Sequence, residues 1–119
     1  MTAKTELPKP CRHRFQVRTM DTIQTGQLTT VEGWMVEVDG IEFGLDRLEN
    51  RPPEARDRKD GWKVTELQTG MSIGFAAFTS RADAIQGAID WIDLCGGPGR
   101  VRDIIWTELT RQARGGVAR

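Results

Sequence analysis

The sequence predicts an α+β domain: an antiparallel sheet of four to five strands built from two hairpins, with two C-terminal helices packed on one face. Three observations point there. One template is written twice, Gly33-Trp34-Met35-Val36 returning through Gly40-Ile41-Glu42-Phe43-Gly44-Leu45, and Gly61-Trp62-Lys63-Val64 returning through Gly70-Met71-Ser72-Ile73-Gly74-Phe75. Asp39-Gly40 is the strongest short hairpin signal in the chain, because a type I′ turn needs positive φ at both central residues. After Ser80 the apolar period changes to that of a helix, with Ala82, Ile85, Ala88, Ile89, Ile92 and Cys95 on one stripe.

The elements follow in order. Residues 1–12 carry Pro8 and Pro10 and little apolar material, which predicts a flexible tail ahead of one domain over 13–114. From His13 to Arg18 polar and apolar residues alternate, a half-buried strand with Phe15 and Val17 inward and Arg14 and Arg18 outward. Asp21 to Gln27 predicts a turn, and Leu28 to Val38, rich in Thr, Val and Trp, a strand. Counting back from Asp39-Gly40 sets Val38 opposite Ile41, Val36 opposite Phe43 and Trp34 opposite Leu45, all on the face expected to be buried. The other face then pairs Glu37 with Glu42, Gly33 with Asp46 and Glu32 with Arg47. Directly opposed like charges destabilise a pair, so Glu37 and Glu42 call for a cation nearby.

Residues 49–60, charged and holding Pro52 and Pro53, predict a solvated, mobile loop. The second hairpin joins Trp62–Leu67 to Met71–Phe78 around Gln68-Thr69-Gly70, with two or three residues in the turn and Gly70 supplying positive φ. Ser80 is the expected N-cap of the first helix, and Asp83 adds a favourable charge near its start. Gly96-Gly97-Pro98-Gly99 ends that helix. A second, about Arg100 to Arg114, carries Val101, Ile104, Ile105 and Leu109 on one side and stops at Gly115-Gly116, leaving a frayed end over 115–119. The Trp34/Val36/Val38 face and the Ile85/Ile89/Ile92 stripe are natural partners.

At 119 residues, 38% hydrophobic and 29% charged, the composition is that of one soluble globular domain. No apolar run approaches the roughly 18 residues of a membrane span. Met1 to Arg14 lacks the apolar stretch of a secretory signal, so the cytoplasm is the expected compartment. Cys11 and Cys95 sit at no metal-ligand spacing and are expected as reduced thiols. Seventeen basic residues balance seventeen acidic ones, which gives no net attraction to nucleic acid. The distribution is uneven: residues 1–20 hold five Lys/Arg against one acid, 21–50 hold seven acids against Arg47, and 100–119 hold five Arg against two acids.

No catalytic, cofactor or metal constellation is spelled out. Acid–base chemistry needs a base beside a nucleophile or acid, and His13, the single histidine, lies at a strand start among basic residues. Asp90 and Asp93 share a helix turn without accompanying ligands and read as a solvated face. Gly96-Gly97-Pro98-Gly99-Arg100 precedes a helix but lacks the Lys-Ser/Thr of a phosphate-binding loop, and a tight interhelical link accounts for it. Trp34 and Trp62 read as core anchors.

The acidic set Glu32, Glu37, Glu42, Asp46 and Glu49 is the candidate partner-binding surface. It is neutralised either internally, by Arg14 and Arg18, or by a host protein or ribonucleoprotein with a basic surface. An alternative places nucleic acid on the Arg12/Arg14/Arg18 edge or on the loop Arg51, Arg56, Arg58 and Lys59. Pairing of two copies through the first strand or through the second helix with Trp106 stays open.

The string Trp62-x-Val64-Thr65-x-x-x-Thr69-Gly70-x-x-Ile73, followed by a helix with Ala84-Ile85, resembles short phage- and plasmid-borne accessory proteins over about residues 41–95. Glu66 stands where many of those proteins have His. The resemblance implies a mobile-element protein of the bacterial cytoplasm that binds and blocks a host machine without catalysis, anti-CRISPR proteins being one such group. The acidic face would then occupy Lys/Arg groups with which a CRISPR effector grips target DNA or its own subunits. The expected function is therefore noncatalytic inhibition by binding, with a small nucleic-acid-binding regulator as the alternative.

Overall fold

The computed structural model describes residues 7–18, 28–56, 59–73 and 77–117. Five strands, β1 (Cys11–Arg18), β2 (Leu28–Val38), β3 (Ile41–Arg47), β4 (Trp62–Glu66) and β5 (Met71–Ser72), form one antiparallel meander in chain order. Two helices follow, α1 (Arg81–Leu94) and α2 (Pro98–Val117). The fold is the expected α+β arrangement. Asp39 at φ 53° and Gly40 at φ 82° make the two-residue turn, and Val38↔Ile41, Val36↔Phe43 and Trp34↔Leu45 are the observed pairs.

Because side chains alternate across a strand, even-numbered residues of β2 face the helices and odd-numbered ones the opposite side. β2 changes which face it buries midway. Val36 and Val38 join Phe43, Leu45 and Val64 beneath Ile85, Ala88 and Ile92 of α1 and Val101 and Ile105 of α2. Val31, on the other face, packs with Phe15, Val17 and Leu67 in a second, smaller core. Each fully buried aliphatic or Phe side chain contributes about 1.5–3 kcal/mol.

The cause of the switch is a close approach at Gly33. A Cβ there would lie 2.2 Å from the Leu45 carbonyl oxygen, so only glycine lets β2 pass the end of its pairing with β3. Pairing stops at Trp34↔Leu45, the expected Gly33–Asp46 and Glu32–Arg47 pairs do not form, and Glu32, being even-numbered, lies on the helix-facing side of β2 rather than on the face of Glu37. β2 continues beside β1 alone, and the sheet coils until the Arg18 amide donates to the Gly70 carbonyl (2.8 Å). Coiling lays the Phe15 ring over Gly44, where a Cβ would come within 2.5 Å of it.

A rivet of polar groups holds that closure. The buried Glu66 carboxylate accepts from the amides of Gln68 and Thr69 and from the Thr69 hydroxyl, shaping a four-residue turn that Gly70 completes at φ 73°. Arg18 Nε donates to the Thr69 carbonyl (3.0 Å) and its Nη2 to Gln112 Oε1 of α2 (2.9 Å). Arg18 thus ties β1, the β4–β5 turn and α2 together, where an outward position was expected.

Other boundaries differ for local reasons. β1 starts at Cys11, two residues before the expected domain edge, and Leu7 packs against the main core. The Asp21–Gln27 turn, Gly74, Phe75 and residues 1–6 lie outside the described residues. β5 is two residues long, after which Phe78 returns to exchange both backbone hydrogen bonds with Trp62. Ser80 caps α1 by accepting from the Asp83 amide (3.0 Å). α2 begins at Pro98, a residue suited to a helix's first turn, and runs through Gly115-Gly116 to Val117. Among the described residues no helix is long and apolar enough to cross a membrane.

The Thr65 hydroxyl is fully buried without a hydrogen-bond partner among the described residues. Thr65→Val, which keeps the shape and removes the unpaired group, is expected to stabilise the fold by about 1 kcal/mol in urea unfolding; a loss of stability would show that the hydroxyl is satisfied. Gly33→Ala should cost about 1–3 kcal/mol or more, because the obstacle is backbone.

Candidate functional site

Where β2 and β3 part, a cleft of ≈ 670 Å³ opens. One wall is residues 30–34 of β2. The other comprises Asp46, Arg47, Asn50, Pro52 and Trp62, and Arg12 and Arg81 also line the space. Trp34 and Trp62, the leading residues of the doubled template, are packed against the main core yet half-buried, with their exposed parts in this cleft. They are core anchors and cleft walls at once, which reading them as core alone missed.

Each ring carries a guanidinium. Arg81 lies 4.2 Å from the Trp34 ring centroid, Arg12 lies 5.1 Å from the same centroid, and Arg47 lies 5.8 Å from that of Trp62. An aromatic ring attracts a guanidinium without using up its N–H donors, which remain available to acceptors. Arg12 and Arg14 share Glu32, at 4.0 and 3.0 Å. Arg47 is paired with Glu49 (2.8 Å). Arg81 has no carboxylate partner among the described residues. As the first residue of α1, it also opposes the helix dipole, so helix stability does not explain it.

The segment after β3 holds the second wall in place. It was expected to be a mobile loop, but through Arg56 it is built from two 3₁₀ turns, Leu48–Asn50 and Pro53–Ala55, with Leu48 and Ala55 buried. Arginine wiring is the reason. Arg51, 6% exposed, grips the buried Asp46 through Nε (2.6 Å) and Nη2 (2.7 Å) and donates to the Ala55 carbonyl. Arg56 donates to the carbonyls of Arg51 and Glu49. Hydrogen bonds from its own amide and from that of Gly61, with Arg47 alongside, hold the Glu49 carboxyl below the usual glutamate range.

The acidic set is therefore dispersed. Asp46, 2% exposed, lies in the Arg51 ion pair, and Lys63 stands opposite it in register. Glu32 and Glu49 are paired with arginines. Only Glu37 and Glu42 remain as expected, exposed and directly opposed, with no ion pair among the described residues. Arg14 goes to Glu32 and Arg18 to the β4–β5 turn, so neither neutralises them. In the alternative basic set, Arg51 and Arg56 are engaged within their own loop, Lys59 is exposed, and Arg58 lies outside the described residues. His13 and Cys11 are exposed on β1, Cys95 is half-buried, and Trp106, 71% exposed, stands on the outer side of α2.

Reasoning from sequence missed Arg47 and Arg81, and offered Arg12 only as part of a basic Arg12/Arg14/Arg18 edge for nucleic acid. Arg12 meets Trp34 through the β1–β2 register, across a connection whose length hides the pairing, and Arg81 arrives there by tertiary packing. The repeated Gly-Trp was the available signal. No family model, curated protein or solved structure matches this chain.

Asp46→Ala would leave Arg51 buried and uncompensated, and a loss of about 3–5 kcal/mol is expected in urea unfolding; a cost below about 1 kcal/mol would refute the ion pair's role. Because the folded Glu49 pKa is depressed, its stabilising contribution is present above the unfolded pKa and disappears as pH falls through the folded one. The stability gap between the wild type and Glu49→Gln should accordingly shrink on acidification, and a gap that widens would contradict the assignment.

Proposed function

We propose that this chain is a noncatalytic accessory protein of a mobile element that binds and inhibits a host protein or ribonucleoprotein machine in the cytoplasm. The observation that carries the binding surface is Arg81, 4.2 Å over the Trp34 ring in an open cleft with no carboxylate partner among the described residues. A guanidinium over an aromatic ring with no acid beside it among the described residues is prepared for a carboxylate or phosphate of a partner. Arg12, Arg47 and the α1 N-terminus add positive potential around it. This moves the principal contact from the acidic hairpin face to a cationic cleft.

The resemblance at the second hairpin supports the mobile-element reading and makes CRISPR effectors the first class to test. A ribonucleoprotein offers both signs of charge, so the exposed Glu37/Glu42 pair would contact a basic patch of the same target. The structure favours this reading over nucleic-acid binding through residues 51–59, since Arg51 and Arg56 are already engaged.

Affinity capture from bacterial lysate, with the protein and nucleic acid of the eluate identified, tests it. The variant Arg81→Glu is expected to lose the captured machine while melting like the wild type, and Glu37→Lys/Glu42→Lys to weaken it. Undiminished capture by the folded Arg81→Glu protein would reject the cleft as the contact.

A further inference from the structure

The cleft wall contributed by β2 is a strand edge, and this restricts what the cleft suits. In an antiparallel ladder, backbone hydrogen-bonding direction alternates along the strand. The type I′ turn makes Val38 and Ile41 a hydrogen-bonded pair, so the even residues 38, 36 and 34 of β2 direct their amides and carbonyls toward β3. Arg18 gives its amide to Gly70, so Arg18↔Leu28 is a non-hydrogen-bonded pair, and the odd residues 29, 31 and 33 serve β1. Both ends of β2 thus agree on one parity. Thr30 and Glu32 present N–H and C=O toward the cleft, where no described strand pairs with them.

We infer that the ligand is an extended acidic peptide of a protein partner, which adds to the β2 edge at residues 28–33 as an extra strand. This rests on the cleft being the contact surface. Unpaired strand edges accept exactly this addition, with main-chain hydrogen bonds giving affinity and alternate side-chain positions giving specificity. At about 3.3 Å per residue, residues 28–33 offer an edge of about 20 Å, sufficient for a strand of five or six residues. Charge completes the match. On one side of the added strand, carboxylates would meet the edge donors of Arg81, with Arg12 and Arg47 close by. A nucleic acid would satisfy the guanidinium groups but has no alternating amide and carbonyl ladder to offer Thr30 and Glu32.

The test is selection from a displayed random 12-residue peptide library and, in parallel, from a random single-stranded DNA pool, against the wild type and Arg81→Ala. Enriched peptides are expected to carry Asp or Glu at alternate positions and to bind Arg81→Ala about ten- to a hundredfold more weakly. Amide exchange of Thr30 and Glu32, followed by NMR, is expected to slow on binding. Methylating alternate peptide nitrogens in one register is expected to abolish binding, and in the other to spare it. Failure to enrich acidic peptides, or binding without slowed exchange at Thr30 and Glu32, would overturn the added strand. If DNA alone enriches and depends on Arg81, the cationic cleft stands and the added strand falls; if neither pool depends on Arg81, both fall. Unchanged thermal melting of Arg81→Ala confirms that lost affinity is not lost folding.

Discussion

The close approach of Gly33 to the Leu45 carbonyl is the constraint on which the rest of the structure depends. With no side chain at that point, β2 leaves β3 and follows β1 instead. Three consequences follow together. The sheet coils, which puts a second core on the face away from the helices. β1 reaches the β4–β5 turn, where Arg18, Thr69 and Gln112 fasten sheet to helix. The space vacated between β2 and β3 becomes the cleft.

Charge is used differently on the two walls of that cleft. On the β3 side it is spent inside the fold: Asp46 and Arg51 form a buried bidentate pair, and Glu49 holds Arg47 while fastening the Gly61 amide. A buried pair of this kind adds little net stability over an apolar replacement but penalises any arrangement that separates its partners. It fixes the wall's shape more than it strengthens the fold. On the other side Arg81 is held by an aromatic face and paired with no acid among the described residues, so its charge is directed outward.

Much of the framework was readable before any coordinates. Asp39-Gly40 set the first register, the even-numbered apolar residues marked the helix-facing core, and Ser80 marked the start of α1, because each follows from local stereochemistry. What depended on tertiary packing was hidden. An Asp near the end of a strand and an Arg five residues on in a charged loop look like solvated surface until the coil of the sheet buries them, as with Asp46 and Arg51. Likewise the acidic set was assembled by extending the β2–β3 register past Trp34, and the ladder ends there. The tryptophans were correctly linked to the core, but their second role needed Arg12 and Arg81, which come from distant parts of the chain.

Amide hydrogen exchange of the free protein, resolved residue by residue along β2, tests the parting of the strands most directly. An alternation is expected: slow exchange at Thr29, Val31 and Gly33, which serve β1, rapid exchange at Thr30 and Glu32, which face the cleft, and slow exchange again at Trp34, Val36 and Val38. Uniform protection through residues 29–33 would mean that a strand already covers this edge, and would contradict the open cleft from which the functional reading is built.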